Sequence, residues 1–217
     1  MALVVKICGL TTASTFDVAI DAGADMVGFV FFPPSPRHLE FGAAAGLARH
    51  VGARARKVAL SVDADDAWLA AAIDAIAADF LQLHGRESPE RIRAIKAKFA
   101  LPVIKAIAIE TAEDVARVRD YRDVADWLLF DARAPKSATR PGGLGRPFDW
   151  RLLENLDPGP PFMLSGGLEA GNVAEALRLT RAGGVDVSSG VERAPGEKDP
   201  GLIQAFIQAA RAADRSR

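Results

Sequence analysis

Short apolar runs alternate along the chain with longer Ala- and Leu-rich stretches whose apolar positions repeat at helical spacing. The short runs are rich in β-branched residues and predict strands, while the longer stretches predict the helices that follow them. The spacing of about 27 residues per strand–helix unit leaves little room for insertions. The predicted strands lie near residues 3–8, 25–32, 56–62, 79–83, 102–107, 126–131, 161–165 and 184–188.

Helix start signals agree with this alternation. Ser88 precedes a helix predicted over 89–99, because a Ser side chain can accept a hydrogen bond from the free N–H groups of a first helical turn. A further helix is predicted over 148–156. The stretch 132–147, rich in Pro, Gly and basic residues, is the one long irregular segment and becomes the loop after strand six.

Eight strand–helix units indicate an α/β chain folded as a (β/α)8 TIM barrel, since a doubly wound open sheet usually has five or six strands. No composition shift marks a second domain. We therefore expect residues 1–217 to form a single barrel. Its reaction site is expected at the carboxyl ends of the strands, where barrel enzymes carry their active sites.

Polar residues recur on the strand faces predicted to point into the barrel, because side chains alternate between the two faces of a strand. Barrel interiors are ordinarily filled by Val, Ile and Leu, so these positions indicate ion pairs and a reaction site. Closure makes strands one and eight neighbours, which predicts an interior pair between Lys6 and Asp186. The inward polar positions are Lys6, Gln82, His84, Lys105 and Asp186.

Charge and cysteine content limit the expected partners and the expected cellular compartment. The chain carries 27 basic and 28 acidic side chains, so its near-zero net charge gives no reason to expect nucleic acid as a partner. No window approaches the roughly 20 apolar residues of a membrane helix. One cysteine permits no internal disulfide, and the start has no signal-peptide pattern, so we expect a cytoplasmic protein.

Glycine-rich loops follow strands six, seven and eight. Glycine lets the backbone approach a phosphate closely, and barrels often bind phosphate in the loops after strands seven and eight. Simple left-handed turns would also use glycine, but the occurrence of glycines after both strand seven and strand eight favours phosphate binding. The candidate positions are Ser165, Gly166, Gly167, Ser189 and Gly190, with Gly142 and Gly143 of the strand-six loop closing over the same group.

The motifs KICGLT, GFVFFPPSPRHL, QLHG, LLFDA, PGGLGRPFDW, LSGGL and DVSSGVE occur at these strand ends in this order. Together they closely resemble the phosphoribosylanthranilate isomerase family, the Amadori isomerases of tryptophan biosynthesis. The resemblance spans nearly the whole chain. One departure is Leu144, which stands where the family has a small hydroxyl residue.

The resemblance implies a reaction without metal or cofactor on a small phosphorylated substrate. It gives Cys8 the role of general base, Asp131 that of general acid, and Arg37 the binding of the anthranilate carboxylate. Lys6 is a candidate for lowering the pKa of the Cys8 thiol. Asp131 must keep its proton to act as an acid, which a low-dielectric or negatively charged surrounding favours. His84 is left open between a structural role and contact with the substrate.

Two other functions are weighed against this one. The Amadori isomerase of histidine biosynthesis uses a similar phosphate cradle but a pair of aspartates, and Cys8 speaks against it. A barrel that binds a sugar phosphate without catalysis is the alternative from another class, and Cys8, Asp131 and Arg37 together count against it. The periodicity does not distinguish a monomer from a homodimer.

Overall fold

Eight parallel strands close into a barrel in the order of the sequence, with β8 pairing β1. This computed structural model describes residues 2–134, 142 and 147–216. The predicted barrel is confirmed. The strands are β1 Val4–Cys8, β2 Met26–Val30, β3 Arg56–Ser61, β4 Phe80–Leu83, β5 Val103–Ile109, β6 Trp127–Ala132, β7 Phe162–Leu164 and β8 Gly184–Val187.

Helices follow the strands on the outside of the barrel. None in the described ranges has the length and apolar character needed to cross a membrane. A small hairpin of β9 Glu192–Ala194 and β10 Glu197–Lys198 follows β8. The helices are α1 Ala13–Asp21, α2 Phe41–Val51, α3 Asp66–Ile76, α4 Pro89–Phe99, α5 Ala112–Ala116, α6 Val173–Thr180 and α7 Pro200–Arg215, with 3-10 turns at Arg117–Tyr121, Trp150–Leu153 and Ser189–Val191.

The sixth unit differs from its prediction. Instead of an α-helix over 148–156, it has only the 3-10 turn Trp150–Leu153. Asp149 caps this turn by accepting from the Arg151 N–H, but Asn155 adopts a left-handed φ of 62°, which ends the helical geometry. The helical geometry therefore stops after a single 3-10 turn.

The barrel interior is apolar at its amino end and polar towards the carboxyl ends of the strands. Outward-facing strand residues pack on the helices as one large core, as their alternation predicts. The inner apolar layer closes the amino end of the barrel, so ligands can approach only from the other end. It consists of Val4, Met26, Val58, Phe80, Ile104, Ala106, Leu129 and Met163.

The predicted Lys6–Asp186 pair is confirmed. The two residues are register partners across the β1–β8 seam, and Lys6 Nζ lies 2.7 Å from Asp186 Oδ1. Both side chains are buried. The pair therefore lies inside the barrel, one layer beneath the carboxyl end of β1.

The expectation for Lys105 is wrong. Ile104 and Ala106 fill the barrel interior, so the alternation of β5 turns Lys105 towards the helices. Its Nζ lies 2.7 Å from Glu87 Oε2 and donates to the Gly85 carbonyl at 2.7 Å. Lys105 thus fastens the loop after β4 to the outside of the barrel.

Candidate active site

Cys8 ends β1 inside the mouth of the barrel. Its side chain is only 4% exposed and packs with Val30 and Leu60. A Cβ added at Gly28, the register partner of Cys8 on β2, would lie 2.7 Å from the Cys8 Sγ. Glycine at this position therefore gives the thiol its space on the neighbouring strand.

The pKa of the Cys8 thiol lies above its ordinary value, although Lys6 lowers it as the sequence predicts. Burial raises the pKa of the Cys8 thiol, and the nearby Asp186 carboxylate raises it further. Lys6 and, more weakly, Lys198 lower this pKa without overcoming burial. The predicted effect of Lys6 is therefore present although burial outweighs it, and the thiolate depends on these two cations.

Lys6 remains a cation in this interior. Burial lowers the pKa of Lys6, but the Asp186 carboxylate outweighs burial and raises it above its ordinary value. Ser165 donates a hydrogen bond from Oγ to Asp186 Oδ2 at 3.2 Å. The Ser165 side chain therefore points into the barrel, so only its backbone faces the predicted phosphate loop.

Asp131 near the end of β6 is buried among groups that could orient it. Its Oδ1 accepts a hydrogen bond from the Ala132 N–H at 2.8 Å, and its Oδ2 lies 3.2 Å from His84 Nε2. On the other side of the ring, His84 Nδ1 lies 3.0 Å from Gln82 Nε2. His84 therefore contacts the candidate acid.

Gly142 lies directly against this group. A Cβ at Gly142 would collide with the Asp131 carboxyl and would lie 2.8 Å from His84 Nε2. Any larger residue would therefore displace the two side chains. Gly143 and Leu144, also singled out in the sequence, lie outside the described residues.

Arg37 is held beside Cys8 by a carboxylate that the sequence reasoning missed. Glu192 accepts from Arg37 Nε and Nη2, both at 2.7 Å, in a two-pronged ion pair. The Arg37 stem packs against Gly9, where a Cβ would lie 2.5 Å from Arg37 Cδ. Glu192 ends the SSGVE motif, so an acidic residue following a phosphate loop was the available signal.

Lys198 completes this charged cluster. Its Nζ lies 2.6 Å from Glu192 Oε1 and donates to the Ser188 carbonyl at 2.8 Å. Burial lowers the pKa of Lys198 to about 8, and Glu192 opposes that effect. Although burial raises the pKa of Glu192, its contacts with Arg37 and Lys198 hold it below the usual range. The cluster therefore carries net positive charge at neutral pH.

The glycine loops after β7 and β8 lie against each other. Gly166 and Gly167 have left-handed φ values of 80° and 66°. No acceptor in the described residues takes the backbone N–H of either glycine. Gly190 packs so closely on the Leu168 carbonyl that a Cβ would collide with it. Ser189 begins the adjacent 3-10 turn, so the two loops share one rim of the barrel mouth.

Comparison with known proteins agrees with this architecture. Residues 5–209 match the family described as N-(5'phosphoribosyl)anthranilate (PRA) isomerase. A relative from Nitrobacter hamburgensis, named N-(5'-phosphoribosyl)anthranilate isomerase, is 66% identical over 99% of this chain and 95% of its own length.

Solved structures show the same similarity. The phosphoribosyl anthranilate isomerase from Thermotoga maritima superposes with a TM-score of 0.87 at 35% identity, covering 97% of this chain and 99% of its own. A phosphoribosyl anthranilate isomerase in complex with reduced 1-(o-carboxyphenylamino)-1-deoxyribulose 5-phosphate superposes with a TM-score of 0.84 at 32% identity. It too covers 97% of this chain and 99% of its own. The chain belongs to the phosphoribosylanthranilate isomerase family.

Proposed function

We propose that this chain converts N-(5'-phosphoribosyl)anthranilate into 1-(2-carboxyphenylamino)-1-deoxyribulose 5-phosphate, with Asp131 as general acid and Cys8 as general base. The observation that carries the assignment is the position of these two buried groups. Cys8 ends β1 and Asp131 lies one residue before the end of β6 at the same barrel mouth, so a substrate lying across the mouth has one group on either side. The family to which the chain belongs supports the reaction.

The reaction divides into proton transfers. Asp131 gives a proton to the ribose ring oxygen, the bond from that oxygen to C1 breaks, and the nitrogen lone pair forms an iminium. Cys8 then removes the proton from C2, and the electrons of that C–H bond form the C1–C2 double bond of an enolamine. The enolamine gains a proton at C1 and loses the hydroxyl proton at C2. Atoms and charge balance, as an isomerisation requires.

The two ends of the substrate carry negative charges that match the two rims of the mouth. The net positive cluster of Arg37, Glu192 and Lys198 lies beside Cys8 and suits the anthranilate carboxylate. The N–H groups of Gly166 and Gly167, which have no acceptor among the described residues, suit the phosphate, with Ser189 and Gly190 beside them. This arrangement would hold the reacting C1–C2 unit over Cys8 and Asp131.

The test measures turnover of freshly prepared N-(5'-phosphoribosyl)anthranilate by its fluorescence. Cys8→Ser and Asp131→Asn should each lose about 10²–10⁴-fold in kcat, the usual contribution of a positioned acid or base. Both variants should still bind the reduced product analogue, because neither change removes a charge from the carboxylate or phosphate rims.

The matched control is Asp17→Asn, which removes a half-exposed carboxylate far from the mouth and should leave kcat unchanged. Near-normal turnover of the Cys8 or Asp131 variant would contradict the assignment. A wild type that turns over only the histidine-pathway substrate would replace it with the rival isomerase.

We infer a cytoplasmic location from the single cysteine, and a monomer or a homodimer as the assembly. Light scattering of the purified protein decides between the two assemblies. Neither outcome changes the reaction proposed above, because the groups invoked for it all come from one chain.

A further inference from the structure

The side-chain amide of Gln82 is fully buried, and its nitrogen and its oxygen have different surroundings. Its Nε2 lies 3.0 Å from His84 Nδ1, whereas its Oε1 is buried with no hydrogen-bond partner in the described part of the chain. A buried carbonyl without a partner costs about 1–3 kcal/mol. The amide is therefore placed for what its N–H groups do rather than for its own stability.

An amide nitrogen can only donate, and this fixes the state of the His84 ring. Because Gln82 donates to Nδ1, that nitrogen must carry a lone pair, so the ring proton of neutral His84 lies on Nε2. Nε2 faces Asp131 Oδ2 at 3.2 Å, which makes His84 a donor to the carboxyl group. With the Ala132 N–H on Oδ1, each oxygen of Asp131 then has an N–H donor.

The other two histidines provide an internal comparison. His50 Nε2 contacts the Asp17 carboxylate at 2.9 Å, and His38 Nε2 contacts Glu40 at 3.2 Å, so all three rings put Nε2 on a carboxylate. His38 Nδ1, however, is buried and has no hydrogen-bond partner within the ranges that the structure describes. In the described residues, only His84 has a side chain that fixes Nδ1, and only His84 touches a candidate catalytic group.

We propose that Gln82 is a positioning residue that locks His84 in the Nε2–H tautomer, so that His84 stabilises the Asp131 carboxylate formed when the substrate ring oxygen takes its proton. This rests on the acid role proposed for Asp131. Negative charge develops on Asp131 in that step, and an N–H already aimed at it stabilises the transition state more than the protonated acid.

The proton balance is complete without any further partner. The proton of Asp131 goes to the ring oxygen, the electrons of its O–H bond stay on Oδ2, and the His84 Nε2–H bond remains intact as a donor. The opposite amide orientation, with the carbonyl on Nδ1, would leave the proton on Nδ1 and make His84 an acceptor. The tautomer thus distinguishes the two arrangements directly.

Nitrogen-15 NMR of the imidazole rings reads the tautomer without substrate, and three histidines give three ring systems to assign. His84 is identified as the ring lost in His84→Asn. In wild type it should be the neutral Nε2–H form. Gln82→Met, similar in size but unable to hydrogen-bond, should give a mixture of tautomers, and Gln82→Glu should shift the ring proton to Nδ1. The His50 signals should not change.

Kinetics then test the consequence. Gln82→Met should lower kcat by roughly 10-fold to 100-fold, as losing the partner that orients a histidine does at metal sites, with KM nearly unchanged. Gln82→Glu should lower kcat further than Gln82→Met does. Ser61→Ala is the matched control and should keep wild-type kcat, because it removes a buried hydroxyl on the neighbouring strand that, like Gln82 Oε1, has no partner among the described residues.

Each result separates this proposal from the proposed function. A wild-type Nδ1–H tautomer, or an unchanged His84 tautomer in Gln82→Met, overturns it whatever the activity. A changed tautomer with unchanged kcat overturns the catalytic part. If wild type has no turnover of the substrate, the proposed function fails while the tautomer measurement still stands. Circular dichroism confirms that each variant is folded before it is compared.

Discussion

Two buried lysines form ion pairs of equal length on opposite sides of the barrel wall. Lys6 lies inside the barrel with Asp186, and Lys105 lies outside it with Glu87, both with N–O distances of 2.7 Å. All four side chains are almost completely buried. Distance and burial therefore do not distinguish the two pairs.

Their neighbours do distinguish them. Lys6 acts on the Cys8 thiol, and Asp186 also receives the Ser165 hydroxyl. Lys105 instead donates to the Gly85 carbonyl and lies 5.8 Å from the centre of the Tyr121 ring. The inner pair thus touches a candidate catalytic group, while the outer pair fastens a loop. A buried ion pair takes its role from what surrounds it, which substitutions at each pair can test.

The largest expected effect is on stability. Lys6→Met and Lys105→Met should each lower the free energy of unfolding by about 3–5 kcal/mol, because each leaves a buried carboxylate without its cation. Urea unfolding measures both. A cost below about 1 kcal/mol for Lys105→Met would show that Glu87 finds another partner, and the outer pair would then lose its assigned role.

The next effect separates the pairs by activity. Both variants are assayed at a temperature at which they remain folded. Lys6→Met should then lower kcat/KM by at least about tenfold, equivalent to about 1.4 kcal/mol, because the Cys8 thiolate loses the Lys6 cation. Lys105→Met should stay within about twofold of wild type. Equal losses in the two variants would contradict the comparison, since the loss would then follow stability alone.

Sequence reasoning succeeded at the inner pair and failed at the outer one for a physical reason. Lys6 and Asp186 are brought together by the closure of the barrel, and closure follows once eight units are counted. Lys105 was placed on the wrong face because strand alternation fixes only which residues share a face. The residue that marks the helix side, Glu87, lies in a loop whose path the apolar pattern does not specify.

The sequence likewise predicted some residues of the candidate site and missed others. Residues at strand ends, such as Cys8 and Asp131, were found because parallel strands bring their carboxyl ends together. Glu192 and Lys198 were missed because they pair across the β9–β10 hairpin, whose strands of three and two residues are too short to show an alternating pattern, although Pro195-Gly196 marks the turn between them. Gln82 was seen to face inward, but its contact with His84 depends on side-chain rotamers that no spacing reveals.

A smaller effect concerns the pH dependence of the thiol. Because burial raises the pKa of the Cys8 thiol above its ordinary value, the rate of Cys8 alkylation should still climb with pH at about pH 9. An exposed thiol with a pKa of about 8.5 is largely ionised there and levels off. Lys6→Met removes a cation that lowers this pKa, so the midpoint should move to higher pH.

Alkylation is followed by mass spectrometry, which is unambiguous with one cysteine. The midpoint rather than the absolute rate is compared, because a shorter side chain at position 6 also changes access to the thiol. Lys105→Met serves as control and should keep the wild-type midpoint. A midpoint below pH 8 in wild type would contradict the electrostatic picture of Cys8.

The smallest expected effect contrasts a buried and an exposed ion pair in the β9–β10 hairpin. Glu192 and Lys198 are buried, whereas Arg193 Nε and Glu197 Oε2, 2.9 Å apart, belong to largely exposed side chains. A double-mutant cycle with Arg193→Ala and Glu197→Ala should give a coupling of only about 0.2–1 kcal/mol, because water screens the charges. Turnover should not change. A substantial loss of turnover would mean that the exposed pair holds the hairpin, and with it Glu192, against Arg37.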